Sequence, residues 1–308
     1  MASMRDIKRR KESVTSTQQI TKAMKLVATV KLQKARGKAE SNKPYFSTLY
    51  DTICSVLALT KNVDHKYIKE SKSKNKALIV ITSNRGLAGG YNSNIVKMIV
   101  NENKDKFPKD ETYVYAIGKK GIEGLTRKGY NIHKDYSEVI NAPLYSDAME
   151  ISKELLTQFE KGEIGEIYLA YTNFKNTVSQ EAKLIKLLPI DPGDFKFDES
   201  HDDRIQMNFE GSAAGSGDFT PFVCGLDDSE NEEAVLDQVI PNYMRSIIYG
   251  AFLEAVASEN GARMQAMDSA TSNAEEMIAD LSLMYNRARQ GAITQELTEI
   301  IAGAEAIS

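Results

Sequence analysis

The chain has 308 residues, 42% of them hydrophobic, and a formal net charge of −4. That is length enough for one large domain or two ordinary ones with a sizeable core. Its two cysteines, Cys54 and Cys224, form no CxxC pair and have no histidine cluster nearby, which argues against a disulfide scaffold or a metal signature and fits a reducing compartment. Charged residues from Arg5 to Glu12 stand where the apolar part of a signal peptide would begin. The longest clean apolar run, Ala77–Ile81, is far short of the roughly 20 residues that span a bilayer. The expectation is a soluble protein that meets a membrane only through partner subunits.

Residues 1–60 read as one long helix. Ile7, Val14, Thr21, Ala28 and Ala35 recur every seven residues, with Met24 and Leu32 beside them. Ser3 can cap the start, with Asp6 three residues on, and Pro44 is expected to kink or divide the helix. This end of the chain is basic: residues 1–38 hold eleven Lys/Arg against Asp6 and Glu12. Residues 75–190 read as an α/β domain. Strands are expected at Ala77–Thr82, Thr112–Ile117, Glu166–Tyr171 and Glu181–Leu188, with helices from about Asn92 and near Lys119–Lys128. Strands separated by helical segments argue for a mostly parallel, Rossmann-like sheet covered by helices. Residues 191–230 form an acidic, glycine-rich connection, since residues 193–233 hold twelve Asp/Glu against Lys196 and Arg204.

Residues 231–308 read as a second long helix, its main part opened by Pro241. A thin seam runs through Met264, Met267, Thr271, Ala274, Ile278, Leu281, Tyr285, Ala288 and Ala292 in unbroken heptads, the pattern of a left-handed coiled coil. Long heptad-bearing helices at both ends of one chain pair as an antiparallel coiled coil. The fold class is therefore α/β plus coiled coil.

No enzyme site emerges from residue spacing. Ser83-Asn84-Arg85-Gly86-Leu87-Ala88-Gly89-Gly90 lies between a strand and a helix, yet it is neither a Walker loop nor a dinucleotide fingerprint. The expected alternative is a tight turn whose glycines take unusual backbone angles. His65, His133 and His201 lack catalytic neighbours and are expected on the surface or in loops. Glu296 and Glu299 share a helix face with no second acid-bearing element. The basic N-terminus allows a nucleic-acid-binding coiled coil as the alternative function, although residues 1–38 contain no aromatic residue for stacking.

Three segments resemble the gamma subunit of F-type ATP synthases. They are Met4–Arg10 with Gln18–Ala28, the turn Thr82–Asn92, and Tyr285–Gln290 with Ile293–Glu299 and Gly303-Ala304. The resemblance implies the central rotor stalk of a rotary ATP synthase, with no catalytic site and no cofactor of its own. It implies alpha and beta subunits of the catalytic head, an epsilon subunit and a membrane c-ring as partners, and a peripheral place on the cytoplasmic face of the cell membrane. It also implies that Met24, Arg289, Gln290, Thr294 and Glu296 contact a beta subunit. Photosynthetic members of the family carry a redox-active cysteine pair, which this chain lacks.

Overall fold

A computed structural model describes residues 4–59, 65–69, 71, 73–177, 179–191 and 229–305. The expectation for the acidic connection therefore lies outside the described residues, apart from its ends, as do His201 and Cys224. Contacts divide the chain into two compact units. One joins Met1–Ala28 to Arg263–Ser308; the other is Thr29–Ala262.

The larger unit contains a five-stranded sheet. Its strands are β1 (Lys76–Ile81), β2 (Thr112–Ile117), β3 (Ile132–Asp135), β4 (Glu166–Phe174) and β5 (Gln180–Leu188). They lie in the order β3-β2-β1-β4-β5. β1 pairs in parallel with β2 and β4, and β2 with β3, whereas β5 returns antiparallel to β4. The period-2 alternation of a strand sends side chains to opposite faces. Ala77, Ile79, Ile81, Tyr115, Ile117, Ile167, Leu169 and Tyr171 enter one core; Leu78, Val80, Val114, Ala116, Tyr168 and Ala170 enter the other. Both faces are dry, so these strands read as continuous apolar runs.

Five α-helices accompany the sheet among the described residues. α1 runs from Met4 to Leu59, and α2 (Tyr91–Lys97) continues into a π-helical turn at Met98–Glu102. α3 is Lys119–Thr126, α4 is Tyr145–Glu160 and α5 is Ser229–Glu305. Ile95 and Ile99 with Leu125 of α3 cover one face of the sheet; Ile151 and Leu155 of α4, Leu236–Ala255 of α5 and Ile53 of α1 supply the core on the other. β3 and α4 fall where the sequence reading makes no assignment. α4 nevertheless shows helical spacing in Ala148, Ile151, Leu155 and Phe159, and Asp147 caps its start by accepting the Leu144 N–H at 2.9 Å.

The expectation for Pro241 needs correction, and of the two outcomes expected at Pro44 division does not occur. α1 is not divided at Pro44, and Pro241 lies inside α5, which begins at Ser229 rather than at the proline. A proline in a helix interior costs about 3 kcal/mol. Packing on both sides offsets it: Phe46 stacks on Tyr243 at 5.8 Å between centroids, and Leu236, Ile240, Met244 and Ile247 are all buried.

Candidate interaction site

In the smaller unit, residues 4–28 of α1 pair antiparallel with α5 from Arg263 onward. Gln18 Nε2 donates to Glu275 Oε1 at 3.0 Å, the Thr21 and Thr271 hydroxyls meet at 2.8 Å, and Lys25 Nζ meets Asp268 Oδ1 at 2.5 Å. Rising numbers on one helix are matched by falling numbers on the other. The inward residues of α1 include Ile7, Lys11, Val14, Gln18, Thr21, Lys25 and Ala28, so four of the seven are polar, and Met24 beside Lys25 is likewise half-buried. On α5, Met267, Ala274 and Leu281 are buried; Met264, Thr271, Ile278, Tyr285 and Ala288 are half-buried. Ala292 is exposed. The position opposite it falls outside the described residues.

From Arg289 to Ala302 every residue of α5 is exposed. Helical spacing sorts this stretch into two adjoining columns. Arg289, Ile293, Glu296 and Ile300 form one; Gln290, Thr294, Leu297 and Ile301 form the other. Four predicted contact residues thus share the face with four apolar ones, which are 49% (Ile293), 54% (Leu297), 63% (Ile300) and 59% (Ile301) exposed. The apolar four were missed as site residues. Their signal was available, since apolar residues continue at helical spacing through Ile293, Leu297, Ile300 and Ile301. Thr294 donates to Gln290 O at 3.0 Å and Gln295 to Glu299 at 2.9 Å, both within the helix.

Met24 is not part of this tip. It is half-buried and lies opposite the stretch from Asp268 to Thr271, about 30 Å along the coil from Arg289 at 1.5 Å per residue. Met24 has its own apolar column with Ile20 and Val27, each 57% exposed, and Leu26 on the neighbouring column is 63% exposed. The predicted contacts therefore form two separate patches. Within the basic stretch, Lys11 is half-buried in the seam and Lys25 is paired with Asp268.

The glycine-rich turn in the larger unit is a structural joint. Asn92 Oδ1 accepts the Ser83 N–H at 2.9 Å, and Asn84 Oδ1 accepts the Lys119 N–H at 3.0 Å. These backbone donors would otherwise face a phosphate. Asn84 also donates to Ser137 O and Asn141 Oδ1. The unusual angles belong to Leu87 (φ 62°) and Gly89 (φ 55°), not to Gly86 or Gly90. Gly118, at φ 109°, is required where β2 meets α3, because a Cβ there would lie 2.1 Å from Thr82 O.

Open α/β sheets bind ligands where the strand order reverses, here between β1 and β4. α5 fills that crevice. Ser258 donates to Thr172 O at 3.1 Å, Ala257 packs on Phe174, and Ala262 packs on Ala88 and Tyr91.

His65 lies in a loop, one of the two places expected for it, but it is buried. It is 4% exposed, accepts the Tyr67 N–H at Nδ1 and bonds Asp237 through Nε2 at 3.2 Å. His133 lies between the Tyr113 and Tyr115 rings. Beside His65, Tyr67 donates to Glu160 at 2.6 Å and Lys66 bridges Glu160 and Asp237. These hydrogen bonds, from Tyr67 first and then Lys66, hold the Glu160 carboxyl below the ordinary range, against burial and the nearby Asp237 charge. Among the described residues no helix is long and apolar enough to cross a membrane.

The ATP synthase family matches residues 3–307. The chain is 58% identical over 314 residues to the ATP synthase gamma chain of Lachnoclostridium phytofermentans, covering all of both chains. It is 38% identical over 305 residues to the sodium ion specific ATP synthase gamma chain of Acetobacterium woodii, covering 99% of each. In fold it is similar to a chain from the rotor of the Euglena gracilis mitochondrial ATP synthase, with a TM-score of 0.65, 19% identity, and coverage of 94% of this chain and 98% of that one. Full-length matches of this kind replace the nucleic-acid reading, and the chain belongs to the ATP synthase gamma-chain family.

Proposed function

We propose that this chain is the central rotor shaft of a rotary ATP synthase, transmitting ion flow through a membrane ring to the catalytic beta subunits of an alpha/beta head. It is a non-catalytic subunit, peripheral on the cytoplasmic face of the membrane, held there through the c-ring and epsilon subunit. ATP chemistry takes place on the partners, so the shaft needs no acid/base pair of its own. The observation that carries this reading is the tip of α5, where Arg289, Gln290, Thr294 and Glu296 share an open face with four apolar residues beyond the described end of the partner helix.

A shaft acts by presenting different faces to identical subunits. Reversing a two-state preference from 1:99 to 99:1 requires about 5.5 kcal/mol of differential interaction. A mixed polar and apolar face on one side of a helix can supply differential contacts of that kind. The Met24 column adds a second contact lower on the coil.

Replacing both Arg289 and Gln290 by Ala should leave the fold intact, because surface changes usually stay within about 0.5 kcal/mol. In the assembled enzyme the same change should slow turnover or loosen coupling. Met24→Lys should impair coupling more than assembly. ATP hydrolysis and ion pumping measured side by side in reconstituted vesicles test both; parental values of both, for both variants, would remove these positions from force transmission.

A further inference from the structure

The ionic groups at the start of the sheet are out of balance. Lys76 of β1 and Glu166 of β4 are register partners, and Lys186 of β5 stands opposite Tyr168. Period-2 alternation puts all four on the face whose core holds Leu78 and Tyr168. Glu166 takes Lys76 on one carboxylate oxygen at 3.3 Å and Lys186 on the other at 3.1 Å. Lys76 Nζ also donates to Lys106 O at 2.9 Å. A third ammonium joins them, since Lys106 Nζ lies 4.4 Å from the centre of the Tyr168 ring. Three cations therefore surround one carboxylate.

Lys106 is the member left without a counter-charge of its own. Among the described residues no carboxylate contacts its ammonium, which rests only on the Tyr168 ring. Buried Phe107 fixes that ring from the side, edge-on at 5.1 Å. Burial lowers the Lys106 amine below its ordinary range; Glu166 opposes this, and the Lys186 and Lys76 charges add to it. The exposed neighbours Lys104, Asp105, Lys109 and Asp110 cancel in pairs. An anion brought to Lys106 would relieve the repulsion among the three lysines.

The place of the cluster selects the anion. α5 leaves this unit at Ala262, which packs on Ala88 and Tyr91 beyond the C-terminal end of β1. Lys76 opens β1 at the other end, roughly 17 Å away along the strand at 3.3 Å per residue. We infer that the Lys76–Lys106–Lys186 cluster is a docking point for a carboxylate-bearing loop of the membrane-ring subunit, with Lys106 making the direct ion pair. This rests on the rotor reading, in which the head takes the helices and the opposite end of the sheet is left to the ring. A ring of identical subunits repeats one carboxylate around its rim, so a single cluster meets a partner at any rotational setting. Glu166 is the competitor built into the site, since it already occupies Lys76 and Lys186.

The test uses the complete complex, and the head carrying this chain rebinding to vesicles that hold the ring. A zero-length carbodiimide joins amines to carboxylates in contact, and within the described chain Lys106 has none. Peptide mass spectrometry of the treated complex should show Lys106 joined to an Asp or Glu of the ring subunit. Lys106→Glu should weaken rebinding roughly five- to tenfold at low salt, as an exposed attraction becomes a repulsion. The difference should vanish near 1 M salt, where the screening length is about 3 Å. Glu166→Gln should act in the opposite direction and tighten rebinding, because it releases Lys76 and Lys186. Coupling of Lys106 to a different subunit would overturn the proposal. So would unchanged low-salt rebinding of Lys106→Glu, weaker rebinding of both variants, or equally tight binding of the parent to ring-free vesicles of the same phospholipids. Failure of the parent chain to assemble with alpha and beta subunits, read before any vesicle is added, would instead refute the rotor reading.

Discussion

At the scale of single residues, the seam and the tip make opposite demands. Ile278 is half-buried between the helices, while Glu276 two residues away faces solvent. Ile278→Asp should weaken helix pairing by roughly 2 kcal/mol, the cost of a carboxylate without full solvation, moderated by Lys11 one seam step away. Glu276→Lys should change stability by less than about 0.5 kcal/mol. Thermal melts of the two variants check this, and equal melting temperatures would mean that Ile278 is not in the pairing surface. Much of this scale was legible in sequence, because heptad spacing alone finds Met264 to Ala288. The separation of Met24 from Arg289 was not legible: both belong to motifs, and only register shows that about 30 Å of coil lies between them.

At the scale of elements, tertiary packing overrides local rules. Proline punctuates most helices, yet Pro44 and Pro241 both sit inside continuous helices whose neighbouring side chains are buried. The apolar runs of β1, β2 and β4 were readable because helices cover both sheet faces. β5 was readable as a strand, but its antiparallel direction follows from the short connection back from β4, not from its composition. Elsewhere an ionic cluster does the joining. Glu160 of α4 receives Tyr67 and Lys66, and Lys66 continues to Asp237 of α5. Hydrogen bonds from Tyr67 and then Lys66 depress the Glu160 carboxyl from its ordinary 4.5. A depressed carboxyl contributes stability that is fully present above its unfolded value and is lost as pH falls through the folded one. Glu160→Gln should therefore flatten the loss of stability below about pH 4.5. Urea midpoints of parent and variant at pH 7 and pH 3.5 measure it. Equal losses on acidification would show that the cluster does not hold α4 through this charge.

At the scale of the molecule, the division of labour follows from where the chain spends its apolar residues. The unit from Thr29 to Ala262 buries both faces of its sheet and fills the crevice where related sheets bind ligands with its own helix. It is built as a body, with the glycine-rich turn serving as a joint. The coiled-coil unit does the reverse: it buries one narrow seam and leaves Ile20, Val27, Ile293, Leu297, Ile300 and Ile301 open. Apolar columns of this size on a helix call for partners. The central claim is that the whole chain turns inside those partners, and the most direct measurement is rotation itself. With the alpha/beta head fixed to a surface and a bead attached through Lys109→Cys, an exposed position of the larger unit, ATP should drive continuous rotation in one direction. A bead that stays still while the same complexes hydrolyse ATP would contradict the account.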